Sequence, residues 1–316
     1  MATAVAALLG ASCAERIAPP AAPAPSLDRP SAAIPGDLDV AVRLDLDAAR
    51  RFLGPAITGA MQLDLADPGD RAATGLISDA LARARVVLVA FRPGLPARST
   101  DNVLVLRGGF AGIEPHGAPD ADFGPAMDLG GGFRRYDRER PSRRSAPARI
   151  YARGDEWLVF ASEAELDSTE RALEQHGNDP RVDPPDRGMV SVSARLPTLV
   201  PLLTERYPAV AQALEGASSL DASADADDRG LRATIEVRFS SNEEASQARE
   251  QVRPLLEALA GAEGALGIIA RGASTHALGP TVVVAVDLDA RAVAALLSGI
   301  DLAGPGRPAP TRPSGS

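Results

Sequence analysis

The chain has 316 residues, of which 45% are apolar and 24% charged, and its formal net charge is -9. That acidic balance argues against general nucleic-acid binding, which rests on basic surface. Lysine is absent, which excludes Schiff-base, P-loop and Ser-x-x-Lys chemistry. With one cysteine no internal disulfide can form, so packing must hold the fold, and with aromatic residues at 3% that packing is aliphatic.

The first element is a short apolar run, Ala2 to Ser12, closed by Leu8-Leu9-Gly10-Ala11-Ser12-Cys13. From Ala14 to Gly36 the chain is so rich in Ala and Pro that it offers no core-forming face. An apolar segment, small residues, one Cys and a loose tether together resemble the signal of bacterial lipoproteins. The pattern departs in two places: Gly10 stands where Leu is usual, and no basic residue precedes Cys13. The resemblance implies cleavage before Cys13, acylation there, and a cell-envelope protein that is lipid-anchored, periplasmic or surface-exposed. The run is too short to span a bilayer, which needs about 20 apolar residues. Acyl chains at Cys13 would hold the chain to a membrane. The expected layout is a signal over 1–12 and a tether over 13–36.

An N-terminal α+β domain is expected over 37–182. It opens on a strand at 38–44, followed by helices near 47–60 and 70–84 and strands at 85–91 and 102–107. From 114 to 148 the sequence has no periodicity and carries Gly130-Gly131-Gly132, so it reads as a long loop inserted in the domain. Arg149–Arg153 and Trp157–Ala161 read as a hairpin turning at Gly154-Asp155. Ser162-x-x-Glu165 then reads as a capping box opening a helix with Leu166, Thr169 and Leu173 on one face.

Gln175 to Arg187, with three prolines, marks a boundary. A C-terminal α+β domain is expected over 183–300, and residues 301–316 form a Pro/Gly/Ser tail that composition makes disordered. Within the domain, Met189–Arg195 leads through Pro197 into a helix. A hairpin follows, whose second strand, Leu231–Phe239, alternates strictly. Ile235 and Val237 are therefore expected to be buried, and Thr234 and Glu236 wet. Ser241-x-x-Glu244 opens a further helix that Pro254 should kink or split. Apolar segments near 265–271 and 281–287 and a last helix complete the domain. The order fits a split β-α-β, ferredoxin-like arrangement. A strand running into a helix recurs at 40–53, 189–203 and 282–297, either as a repeat or as a common βα junction met three times. The domains read as two related halves, each an antiparallel sheet with helices on one face, or with their sheets merged into one.

Seven arginines lie between Arg134 and Arg149. Guanidinium forks suit phosphate and carboxylate oxygens, so Arg134, Arg135, Arg138, Arg140, Arg143 and Arg144 are candidates for binding anionic envelope lipid or glycan. Asp225-x-Asp227-Asp228-Arg229-Gly230 with Glu236 resembles an EF-hand calcium loop, but Arg229 opposes a cation and the flanks are strands, so a hairpin turn is the better reading. The histidines His116, His176 and His276 are far apart, which gives no zinc pattern. No cofactor is implied. The expectation is a non-enzymatic binding or scaffolding module, whose partners are the membrane and another envelope protein. The alternative is an enzyme using the carboxylates at βα junctions, Asp45/Asp47 and Asp287/Asp289.

Overall fold

The structure, a computed structural model, describes residues 29–54, 71–93, 102–116, 122–139, 147–175, 177, 180–205 and 207–299. The expected signal, Cys13, the tether to residue 28, the tail, Arg140, Arg143, Arg144 and His176 lie outside the described residues.

The fold is α+β, built on one twelve-stranded sheet in which every pairing is antiparallel. The strand order is β11-β12-β10-β9-β8-β1-β2-β3-β7-β6-β5-β4. The N-terminal half contributes β1 (Val40–Asp45), β2 (Ala84–Phe91), β3 (Asn102–Gly108), β4 (Met127–Gly130), β5 (Phe133–Asp137), β6 (Arg149–Arg153) and β7 (Trp157–Ala161), with helices α1 (Leu46–Leu53), α2 (Arg71–Arg83) and α3 (Leu166–Glu174). The C-terminal half contributes β8 (Val190–Arg195), β9 (Ser219–Asp227), β10 (Gly230–Arg238), β11 (Ala273–Leu278) and β12 (Thr281–Asp289). Its helices are α4 (Leu196–Thr204), α5 (Pro208–Ala213), α6 (Asn242–Ala260), α7 (Ala265–Arg271) and α8 (Ala290–Gly299).

The halves repeat one path. Each starts with a central strand (β1, β8), passes through helices to its neighbour (β2, β9), and turns back into the next strand (β3, β10). Each ends in a hairpin whose second strand pairs inward (β6–β7, β11–β12). β1 and β8 meet antiparallel, with Val42 opposite Val192 at the middle of the ladder. A local two-fold axis perpendicular to the sheet therefore relates the halves there. The strand-helix units at 40–53 and 189–203 are equivalent, whereas the unit at 282–297 takes the place of β7 and α3. The insertion between third strand and final hairpin differs: β4–β5 in the first half, α6–α7 in the second.

One expectation about the tether and three about the sheet need correction. Residues 29–36 are not a loose tether: Ala33 and Ile34 are fully buried in the core. The C-terminal half is not a split β-α-β: the strands joined by α4 and α5 are direct antiparallel neighbours. A split unit would hold them parallel, with another strand between. The segment 114–148 is not a structureless loop, because β4 and β5 extend the sheet. Phe133 and Tyr136 are fully buried on opposite faces of β5, so neither face shows the wet alternation that marks a one-sided strand. The Gly130-Gly131-Gly132 run makes the turn, with φ of 92°, 59° and 81°, a region that side chains disfavour. Third, helices do not cover one face only. On one face of the N-terminal half, α1 and α2 bury Leu46, Leu76, Ile77 and Leu81 against Leu104, Leu106, Leu158 and Phe160. On the other face, α3 and the segment 29–38 bury Leu173, Ile34 and Leu38 against Leu88, Val105, Tyr151 and Val159.

The C-terminal half is covered on one side. Val237, Ile235 and Val282 pack under α4 and α6, and Leu231, Val286 and Leu288 pack under α7 and α8. Pro254 sits inside α6, which runs unsplit over nineteen residues. Ser241 caps it by accepting from the Glu244 N–H (3.2 Å), while Glu244 returns to the Ser240 N–H (3.1 Å).

Candidate functional site

Register decides which side chains reach the uncovered face. Opposite residues of an antiparallel ladder share a face. The partners of the buried set therefore place Leu231, Ala233, Ile235 and Val237 under the helices, and Arg232, Thr234, Glu236 and Arg238 on the other side. Asp221, Ser223 and Asp225 of β9 join them, as do Val283 and Asp287 of β12 and Ser274, His276 and Leu278 of β11. The expected orientations of Ile235, Val237, Thr234 and Glu236 are as the alternation indicated. The surface is broad, mixed in charge and polar. Cover on this side stops at β8, where Ser191 donates to the Pro185 carbonyl (2.7 Å) and is buried by the 180–187 segment. From that border Arg187 reaches Glu236 (3.4 Å), an exposed pair of little energetic weight.

Two clefts lie on the same side, along the 29–38 segment. One, of about 380 Å³, is lined by Asp37, Ser168, Arg171, Gln175 and Arg181. Beside it Arg92 bridges Asp37 and Glu165, whose carboxylate is wholly buried, lies 2.9 Å from the Arg92 guanidinium and accepts from the Ser168 hydroxyl (3.0 Å). The expected capping box is thus not formed: Ser162 accepts from the Asn102 N–H (3.0 Å) instead. Local spacing suggested a cap; Arg92 and Asp37 are remote in sequence, and no local pattern announces them. The second cleft, of about 220 Å³, is lined by Arg29, Arg43, Leu88, Pro184 and Asp186, and Arg43 pairs with Asp186 at 2.9 Å.

Among the described residues, the candidates Arg134, Arg135 and Arg138 do not converge on a free cationic surface. Successive residues of β5 point to opposite faces. Arg134 lies over the Tyr136 ring and 3.8 Å from Glu114. Arg135 reaches Glu170 (3.1 Å) and Asp137 (3.3 Å), and Arg149 binds the same two carboxylates. Arg138 lies over the Phe123 ring and donates to the Pro147 carbonyl. These side chains weld the β4–β5 insertion to α3, to Glu114 and to Phe123. Tyr136 donates to Glu114 (2.7 Å), and burial together with this bond pushes its hydroxyl pKa up to about 12. Burial raises Tyr151 still further.

The remaining candidates are local. Asp45, two residues before Asp47, caps α1 through the Ala48 N–H (2.8 Å), and Asp289 caps α8 through the Ala292 N–H (2.8 Å). Asp47 pairs with Arg50. Asp227 accepts from the Arg229 and Gly230 N–H groups, so the calcium-like loop is a hairpin turn. Among the described residues no group of three or more His, Cys, Asp or Glu could hold a metal. His116 bonds the Phe123 carbonyl (3.1 Å), and His276 stands on the open face.

No family model matches the chain, and no curated protein matches it. Among solved structures it is similar to crystal form I of TP0453, at 13% identity and a TM-score of 0.51, over 85% of this chain and 96% of that one. Crystal forms III and IV of TP0453 match at 11% and 10% identity, with a TM-score of 0.48 each. At this identity the likeness concerns the fold alone.

Proposed function

We propose that the chain is a cell-envelope lipoprotein, anchored through acylated Cys13, whose body is a non-enzymatic binding or scaffolding module for another envelope protein. The observation that carries the anchor is the Leu8–Cys13 motif followed by an Ala/Pro-rich tether. The bare face of β9, β10, β12 and β11 supports the second part. A wide polar sheet surface suits a macromolecular partner better than a small substrate, which is held in a concave pocket. The rival enzymatic reading is weaker because Asp45 and Asp289 are occupied as helix caps. Binding of anionic lipid by Arg134, Arg135 and Arg138 is also disfavoured, since these three already have partners inside the fold.

Fractionation of cells expressing the full chain tests the anchor. The protein should partition with membranes, with a diacylglyceryl mass increment on the Cys13 peptide, and Cys13→Ser should abolish both. A wild-type chain that stays wholly soluble with residues 1–12 intact would overturn the reading.

A further inference from the structure

The two halves treat equivalent edges differently. In the N-terminal half the outer edge of β6 is filled by β5, supplied by the inserted hairpin. In the C-terminal half the inserted segment is helical, and among the described residues no strand pairs with the outer edge of β11. The direction of its backbone groups follows from the ladder. The Asp287 N–H donates to the Gly272 carbonyl (3.0 Å), and hydrogen-bonded and non-bonded pairs alternate in an antiparallel ladder. Ser274, His276 and Leu278 therefore bond inward to β12, while Ala273, Thr275 and Ala277 turn their N–H and C=O groups outward. The usual guards of an exposed edge are charge, proline, a bulge or brevity. β11 (Ala-Ser-Thr-His-Ala-Leu) has no Lys, Arg or Pro, runs six residues and pairs in unbroken register.

We propose that β11 is a homodimer interface, pairing antiparallel with β11 of a second copy about a two-fold axis perpendicular to the sheet. The strand is self-complementary in one register. Centring on Thr275 sets Ala273 opposite the partner's Ala277, so that all three outward residues of each copy bond across the seam. Ser274 then faces the partner's His276 on the open side, a hydroxyl against an imidazole. On the helical side only Ala and Thr meet, which leaves room for the two α6 helices, each packed over its own β11. Leu278, 63% exposed, comes to lie against the partner's Gly272. The symmetry is the isologous, self-closing kind usual for homodimers. The proposal does not depend on acylation at Cys13.

The test uses the full chain with Cys13→Ser, so that no other thiol is present. Sedimentation velocity across a concentration series should give a reversible monomer–dimer equilibrium. Thr275→Pro removes an outward N–H without touching a bond to β12, an edge position where proline is tolerated. It should leave the circular dichroism spectrum unchanged and weaken dimerisation at least tenfold. Thr275→Cys should form a disulfide dimer under mild oxidation, because the Cα atoms of a hydrogen-bonded antiparallel pair stand about 5.5 Å apart, within disulfide range. A chain that remains monomeric throughout would overturn the proposal and leave the edge to a strand of another protein. A dimer that neither responds to Thr275→Pro nor cross-links at Thr275→Cys would overturn it equally, by placing the interface elsewhere.

Discussion

The N-terminal half is packed on both faces and the C-terminal half on one, although both follow the same strand path. In the first, β2, β3, β7 and β6 are packed on both faces, and β5 closes the β6 edge. In the second, no element among the described residues covers the second face of β9, β10, β12 and β11 or pairs with the outer edge of β11, and several apolar residues on the covered side, Ile235 among them, are only partly buried. The second face differs because α3 and the 29–38 segment cover it in the first half while α8 packs on the other side in the second. The edge differs in what was inserted between the third strand and the final hairpin. A hairpin adds strands to a sheet; a helical pair can only lie on top of one. Insertion chemistry sets which edge is filled.

If that contrast holds, truncation inside the sealed half should be the most damaging. Tyr136→Ala removes a fully buried ring together with its bond to Glu114 and should cost about 3–5 kcal/mol in denaturant unfolding. A negligible loss would return the 114–148 segment to a surface loop. Ile235→Ala in the open half should cost about 2 kcal/mol, the low end for such changes, because Ile235 is only partly buried.

The sealed half should also carry an alkaline limit. Burial holds the Tyr136 hydroxyl neutral, with its pKa raised from 10.0 to about 12, and Tyr151 moves in the same direction. A group whose pKa is raised in the folded state gives its full stabilisation below the unfolded pKa and loses it as pH rises. Stability should therefore fall between pH 10 and 12, and Tyr136→Phe should flatten that fall. In a Tyr207→Phe background, which removes the one half-exposed tyrosine, tyrosinate absorbance that appears at pH 10 without unfolding would contradict the burial. The smallest effect is expected on the bare face: Glu236→Ala should change stability by about 0.5 kcal/mol or less, as for surface sites generally, with no calcium dependence in calorimetry.

Legibility in the sequence followed the same division. One-sided strands announce themselves, as Leu231 to Phe239 did through strict alternation, and the hairpin turn at Gly154-Asp155 was plain. Two-sided strands do not. In Phe133-Arg134-Arg135-Tyr136 the arginines stand among buried neighbours by satisfying their charges on Glu114 and Glu170, so a core strand read as a basic loop. β11, whose residues are small and mixed, carries no strand signal of its own. The duplicated path was visible only in its first unit, because β-branched runs ending in a helix cap also occur at β12. The Arg92–Glu165–Asp37 bridge depends on contacts between segments far apart in the chain, which spacing cannot reveal.

Residue-resolved hydrogen exchange tests the sealed-versus-open account most directly. The Arg138 N–H donates to the Ala148 carbonyl, so by alternation Ile150 and Ala152 of β6 point their amides at β5. They should be protected at any protein concentration. In dilute protein, Ser274, His276 and Leu278 of β11 should be protected while Ala273, Thr275 and Ala277 exchange freely. Uniform protection along β11 in the dilute monomer, or free exchange at Ile150 and Ala152, would contradict the account.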